Sequence, residues 1–194
     1  MRDIQDFNVE VDQAVLLVID VQDRLAKVMP QDIFSNMLQT IKMLVAAAGH
    51  FQLPVLTTEQ YPQGIGPTVD ELNAVQQLGP VIEKVSFGCC GEPKFLSTIL
   101  ELERPQIIVT GMEAHVCVYQ TVLELIKHDL NVHLVRDGIC SRNAMDFKAA
   151  IHCARAAGAV VTTAETVMFQ LLKGSKHPAF KAISQLVKER KLDE

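Results

Sequence analysis

Ala14–Ile19 reads AVLLVI, an unbroken apolar run rich in β-branched residues. A strand of that kind belongs where both of its faces are covered, as in a parallel sheet. Residues 107–109, 132–135 and 160–161 repeat the pattern, with shorter candidates at 54–57 and 81–85. Helical periodicity fills the gaps. Ile33, Met37, Leu38, Ile41, Leu44, Val45 and Ala48 recur at steps of three and four, and Gly49 is predicted to end that helix. Val118, Val122, Leu125 and Ile126 form a second stripe, and Phe147, Ala150, Ile151 and Ala154 a third that stops at Gly158. Thr162 and Glu165 have capping-box spacing for a helix through Leu172, and a last helix is predicted after Pro178. Strand and helix thus alternate along the chain. The pattern predicts an α/β fold, a Rossmann-like three-layer α/β/α arrangement around a six-stranded parallel sheet. At roughly 150 residues per domain, 194 residues predict a single domain over 1–194.

Composition removes several function classes. A net charge of −5 with no basic block disfavours phosphate-driven nucleic-acid binding. The apolar runs fall far short of the roughly 20 residues that cross a bilayer, and the opening MRDIQD lacks the apolar core of a secretory signal. Five cysteines, at 89, 90, 117, 140 and 153, fit neither a disulfide framework nor paired zinc ligands. A reducing cytoplasm is the expected location.

In open parallel sheets, ligands bind beyond the carboxyl ends of the strands, so residues just after a strand carry the functional signal. Asp20 ends the first run in VIDVQDRL, either as a carboxylate aimed into a site or as a turn-capping residue. Lys84 ends a strand candidate in VIEKVSFG, either as a site cation or as a solvated lysine. Cys117 lies in TGMEAHVCVYQTVLEL, where a strand gives way to a helix. A thiol there is expected to feel the positive end of the helix dipole, which lowers its pKa; the plain alternative is a small buried hydrophobe. An acid, a cation and a thiol at one sheet edge are the parts of an activated nucleophile.

LLVIDVQDRL, EKVSFG and GMEAHVCVYQT, in that order and at that spacing, resemble the isochorismatase-like cysteine hydrolases. TTEQYPQGIGPTVDEL, residues 57–72, is similar to the isochorismatase domain-containing protein subgroup. The resemblance implies a covalent mechanism with Asp20, Lys84 and Cys117 as catalytic residues. Asp20 would take the thiol proton and return it to the leaving group, Lys84 would hold both by charge, and Cys117 would form a thioester with a small carbonyl substrate, typically an amide. It also implies a cis peptide bond between Met112 and Glu113, an oxyanion hole from the backbone N–H groups of Glu113 and Cys117, and a homo-oligomer.

Two departures from the family pattern matter. Ala114 and His115 stand where many amidases of the family carry Thr and Asp, so the turn before the cysteine must be held differently. His115 either orients substrate or is a solvated helix-start residue. The segment after the second strand carries Glu59 and no histidine, so the metal site of the family's nicotinamidases is not expected, and no cofactor is called for. Gln60, Tyr61 and Phe87 are candidate pocket residues. Cys89 and Cys90 are read as pocket-wall residues beside Phe87, as loop residues or as redox-sensitive thiols, and Asp137, Ser141 and Arg142 as helix-capping or interface residues. The first reading is a cytoplasmic cysteine hydrolase. The alternatives are an interaction protein of the same fold and, less favoured by the acidic charge, a ribonuclease.

Overall fold

The computed structural model describes residues 3–73 and 79–190. Six parallel strands form one sheet: β1 (Ala14–Ile19), β2 (Val55–Gln60), β3 (Val81–Lys84), β4 (Gln106–Met112), β5 (Asn131–Cys140) and β6 (Val160–Thr162). Their spatial order is β3-β2-β1-β4-β5-β6, the arrangement the sequence predicts in kind. Burial explains who sits where. Every residue of β1 and β4 is buried, which suits the two central strands, while edge strand β3 alternates exposed and buried positions.

The helices are α1 (Asp23–Ala26), α2 (Gln31–Phe51), α3 (Pro62–Ile65), α4 (Asp70–Asn73), α5 (Pro93–Glu101), α6 (Tyr119–Lys127), α7 (Ala144–Ala157), α8 (Ala164–Leu172) and α9 (Phe180–Glu189). Successive side chains of β1 point to opposite faces. Leu16 and Val18 join a core with α2, α8 and α9; Val15, Leu17 and Ile19 join one with α5, α6 and α7.

Two helix ends differ from the sequence expectation. Gly49 lies inside α2, which ends instead at Gln52 in the left-handed region (φ 56°), its N–H reaching the carbonyls of Ala48 and Gly49. A helical glycine costs only about 1 kcal/mol, and burying Phe51 outweighs it. At the other end, Thr162 is still paired to Val135 in the sheet, so Thr163 caps α8 and accepts from the Thr166 N–H. Glu165 then falls one position short of closing a capping box. Gly158 caps α7 at φ 113° and α9 follows Pro178, as predicted.

Among the described residues no helix is long and apolar enough to cross a membrane.

Candidate active site

The chain winds outward from β1 through β2 to β3, then crosses back to lay β4 on the other side of β1. The carboxyl ends of β1 and β4 therefore flank the point where strand order reverses, the usual position of a ligand crevice. Three non-glycine residues there have left-handed backbones, each directly after a strand: Asp20 (φ 51°) after β1, Tyr61 (φ 38°) after β2 and Glu113 (φ 56°) after β4. Such conformations cost of order 1–3 kcal/mol and gather where a site imposes them. Gly111 is required by a close approach, since a Cβ there would collide with the Ile19 backbone.

Asp20 and Lys84 meet although two strand positions separate them. The lysine stem reaches past β2, and its Nζ lies 2.7 Å from Asp20 Oδ2, both side chains being fully buried. Nζ also donates to Gln60 Oε1 (2.8 Å), the Phe87 carbonyl (3.0 Å) and the Ser86 carbonyl (3.2 Å). An ammonium has three protons, so these four acceptors saturate it. The Thr58 hydroxyl donates to the other carboxylate oxygen, Asp20 Oδ1, at 2.7 Å. Burial works against the charge of Lys84, yet the adjoining Asp20 carboxylate and the two nearby thiols outweigh it and hold its pKa above the ordinary lysine value.

Cys117 joins this pair. It lies, 4% exposed, in a π-helical turn over Ala114–Val118 that precedes α6, near enough to Asp20 and Lys84 for both charges to act on its thiol. The expected lowering of its pKa is overturned. Burial first, and the Asp20 carboxylate second, push the thiol well above its ordinary value, and Lys84 only partly offsets them. A helix-end dipole is worth about 0.3–1 kcal/mol in exposed settings, too little against desolvation. The Cys117 thiol thus holds its proton more tightly than a free cysteine does, with the Asp20 carboxylate near it.

The Met112–Glu113 peptide bond is trans, so the expected cis bond is corrected. The turn is made instead by left-handed Glu113, and its buried side chain ties down the flanking segments. Glu113 Oε2 lies 3.5 Å from both His115 Nε2 and Arg142 Nε, and Oε1 accepts from the Arg142 backbone N–H at 3.4 Å. His115 Nδ1 lies 3.1 Å from Ser141 Oγ, and Nε2 lies 3.9 Å from Asp146. His115, Ser141 and Arg142 thus hold the turn that Thr and Asp hold in many amidases. Asp137 caps α8 through the Ala164 N–H (2.9 Å) and pairs with Arg190 (2.8 Å).

The remaining candidates divide. Gln60 is buried and serves Lys84 and the Val85 carbonyl rather than lining an open pocket. Tyr61 is exposed and borders a depression of about 90 Å³ that also touches Lys84 and Val85. Phe87 is exposed, and only its carbonyl enters the site. Glu59 accepts from the Thr68 N–H (2.6 Å) and hydroxyl (2.7 Å). Among the described residues no three His, Cys, Asp or Glu side chains converge as a metal site.

Sequence reasoning missed the threonines, and it named Cys89 without placing it against Thr58 and Thr121. Cys89 is fully buried, its N–H donating to Thr121 Oγ1 (3.0 Å) and its sulfur 3.2 Å from the same hydroxyl. Thr121 also donates to the Cys117 carbonyl at 2.7 Å. Burial first pushes the Cys89 thiol up to about 12. Thr58 was accessible to reasoning, because alternation along VLTTEQ puts it on the same face as Gln60.

Comparison with known proteins agrees with this fold. The isochorismatase domain matches residues 14–166. Isochorismatase domain-containing protein 2 of Danio rerio is 35% identical over 175 residues, covering 90% of this chain and 86% of that protein. The structure of the MAR1 ribonuclease of Caenorhabditis elegans superposes with a TM-score of 0.87 at 33% identity, covering 96% of this chain and 95% of that one. YcaC of Escherichia coli, described as an octameric hydrolase of unknown specificity, shares the fold with a TM-score of 0.81 at 22% identity, covering 98% and 100%.

Proposed function

The chain belongs to the isochorismatase family, a hydrolase-type family, within the isochorismatase domain-containing protein subgroup, and from that premise we propose that it is a cysteine hydrolase of small carbonyl substrates, most simply amides. One observation carries the reading: the buried Cys117 thiol lies beside a buried carboxylate, Asp20, whose charge is held by Lys84 at 2.7 Å.

The chemistry runs as follows. As Cys117 Sγ attacks the carbonyl carbon, its proton passes to Asp20, and the tetrahedral oxyanion is received by the backbone N–H groups of Glu113 and Cys117. Collapse breaks the C–N bond; Asp20 returns the proton to the departing amine, leaving a thioester on Cys117. Water then attacks the thioester, giving one proton to Asp20, and the acid leaves as the thiol is restored. Lys84, with every proton engaged, contributes charge and position and does not touch substrate. The net charge of −5 weighs against RNA cleavage, the activity named for the Caenorhabditis elegans relative.

The reading extends to setting. All five cysteines are free thiols, which supports a reducing cytoplasm. Exposed Tyr61, Val85 and Phe87 follow β2 and β3 at the site's edge of the sheet and support a homo-oligomer. An amide panel read by intact-mass spectrometry tests the core of it. An acyl adduct on Cys117, lost in Cys117→Ala together with turnover, is the expected result; turnover retained in Cys117→Ala overturns it.

A further inference from the structure

Away from this site, β5 and α7 enclose a concavity of about 330 Å³ lined by Arg136, Phe147, Lys148, Ile151, His152 and Arg155, within the roughly 300–1,000 Å³ typical of small-molecule sites. Its origin lies in the sheet. Val132 and Leu134 join the core on the side of α5, α6 and α7, and Arg136 follows where β5 bulges between its pairings with Val109 and Gly111, so its side chain leaves that core for solvent. Edge strand β6 pairs β5 only at His133, Leu134 and Val135, so nothing on that strand covers Arg136.

The charges there have no internal explanation. The side chains of Arg136, Lys148 and Arg155 form no ion pair or hydrogen bond among the described residues. No Asp or Glu stands three or four residues from Lys148 or Arg155 on α7, and no carboxylate lines the concavity. Three permanent cations thus converge on a chain of net charge −5, beside the half-buried ring of Phe147 and the buried Ile151. Unneutralised cations lining one concavity fit a dianion, and guanidinium groups fit phosphate oxygens in particular. The apolar wall fits an organic body.

We propose that this concavity binds a small phosphomonoester, its phosphate held by Arg136, Lys148 and Arg155 and its apolar or aromatic portion resting against Phe147 and Ile151. The site is distinct from the Asp20–Lys84–Cys117 centre and does not depend on the reading of that centre.

Calorimetric titration with phenyl phosphate, alongside inorganic phosphate and phenol as its two halves, tests the assignment. Phenyl phosphate should bind more tightly than either half. Its Kd should rise about tenfold or more in Arg136→Gln and in Arg155→Gln, the loss of one charge-assisted contact, and should also rise between about 0.05 and about 0.5 M salt. These side chains are exposed, so unchanged circular dichroism will separate lost binding from lost fold. Absence of phenyl phosphate binding, or a Kd indifferent to Arg136→Gln, overturns the site; inorganic phosphate binding as tightly as phenyl phosphate overturns the organic ligand.

Discussion

Asp20 and Glu113 are buried carboxylates one residue beyond neighbouring strands, both with left-handed backbones, yet they are held in different ways. Asp20 is fully enclosed and takes short bonds at 2.7 Å from groups that are themselves buried. Glu113 meets its partners at 3.4–3.5 Å, and those partners reach solvent: the side chains of Arg142 and His115 are 60% and 22% exposed. Water screens one cluster and not the other. The first is suited to fixing charge for chemistry, the second to shaping backbone.

The difference is broken most severely at Lys84. Lys84→Met leaves the Asp20 charge buried and unpaired, and urea unfolding should register a loss of about 3–5 kcal/mol. The pH dependence has a definite sign. Lys84 and the thiols of Cys89, Cys90, Cys117 and Cys140 all hold their protons more tightly folded than unfolded, burial being the first-named cause of the thiol shifts, with Cys89, Cys90 and Cys140 reaching about 12. Their contribution is complete below the unfolded values, about 8.5 for thiols and 10.4 for lysine, and is lost as pH rises through the raised ones. Stability should therefore fall from about pH 9 upward, and the part of that fall beyond about 10.4 should be smaller in Lys84→Met. A flat alkaline limb in the wild type would contradict the raised values.

Thr58→Val sharpens the contrast without removing a charge. It conserves shape but deprives Asp20 Oδ1 of its donor, and a hydrogen bond to a charged group is worth about 1.5–3 kcal/mol. A loss under about 0.5 kcal/mol would mean that water enters to replace the hydroxyl, and Asp20 would then be no drier than Glu113.

Much of this molecule is legible in its sequence. AVLLVI announces a central parallel strand, and Asp20, Lys84 and Cys117 stand where strand ends and family resemblance point. What stays illegible depends on three-dimensional enclosure. Thr121 sits in an apolar helical stripe like any other threonine, and nothing local says that its hydroxyl serves both Cys117 and Cys89. Gly49 has the local character of a helix stop, and only the packing of Phe51 carries α2 past it. The thiol pKa fails for the same reason: position at a helix start is visible in sequence, while desolvation is not.

That misreading yields a sharp test. Asp20 raises the Cys117 pKa and Lys84 lowers it, so the two substitutions should act in opposite directions on alkylation, whereas the proposed mechanism expects both to reduce hydrolysis. Iodoacetamide labelling of Cys117 near neutral pH, referenced to exposed Cys153, should accelerate in Asp20→Asn by about tenfold per unit of lowered pKa and slow in Lys84→Met. Labelling that falls in both would mean a resting thiolate stabilised by the pair.

The smallest effect belongs to the lip. Arg142→Ala removes a largely solvated partner at 3.5 Å, for which about 0–1 kcal/mol is the usual yield, and added salt should erase even that. Glu113 keeps His115 at 3.5 Å in that variant, so the turn retains one tether. A thermal-shift loss as large as that of Thr58→Val would make the lip electrostatically equivalent to the buried pair, and the division between a charge-fixing and a backbone-shaping carboxylate would fail. Were stability unchanged but amide turnover reduced, Arg142 would instead act on the Glu113 backbone, where the oxyanion is proposed to lie.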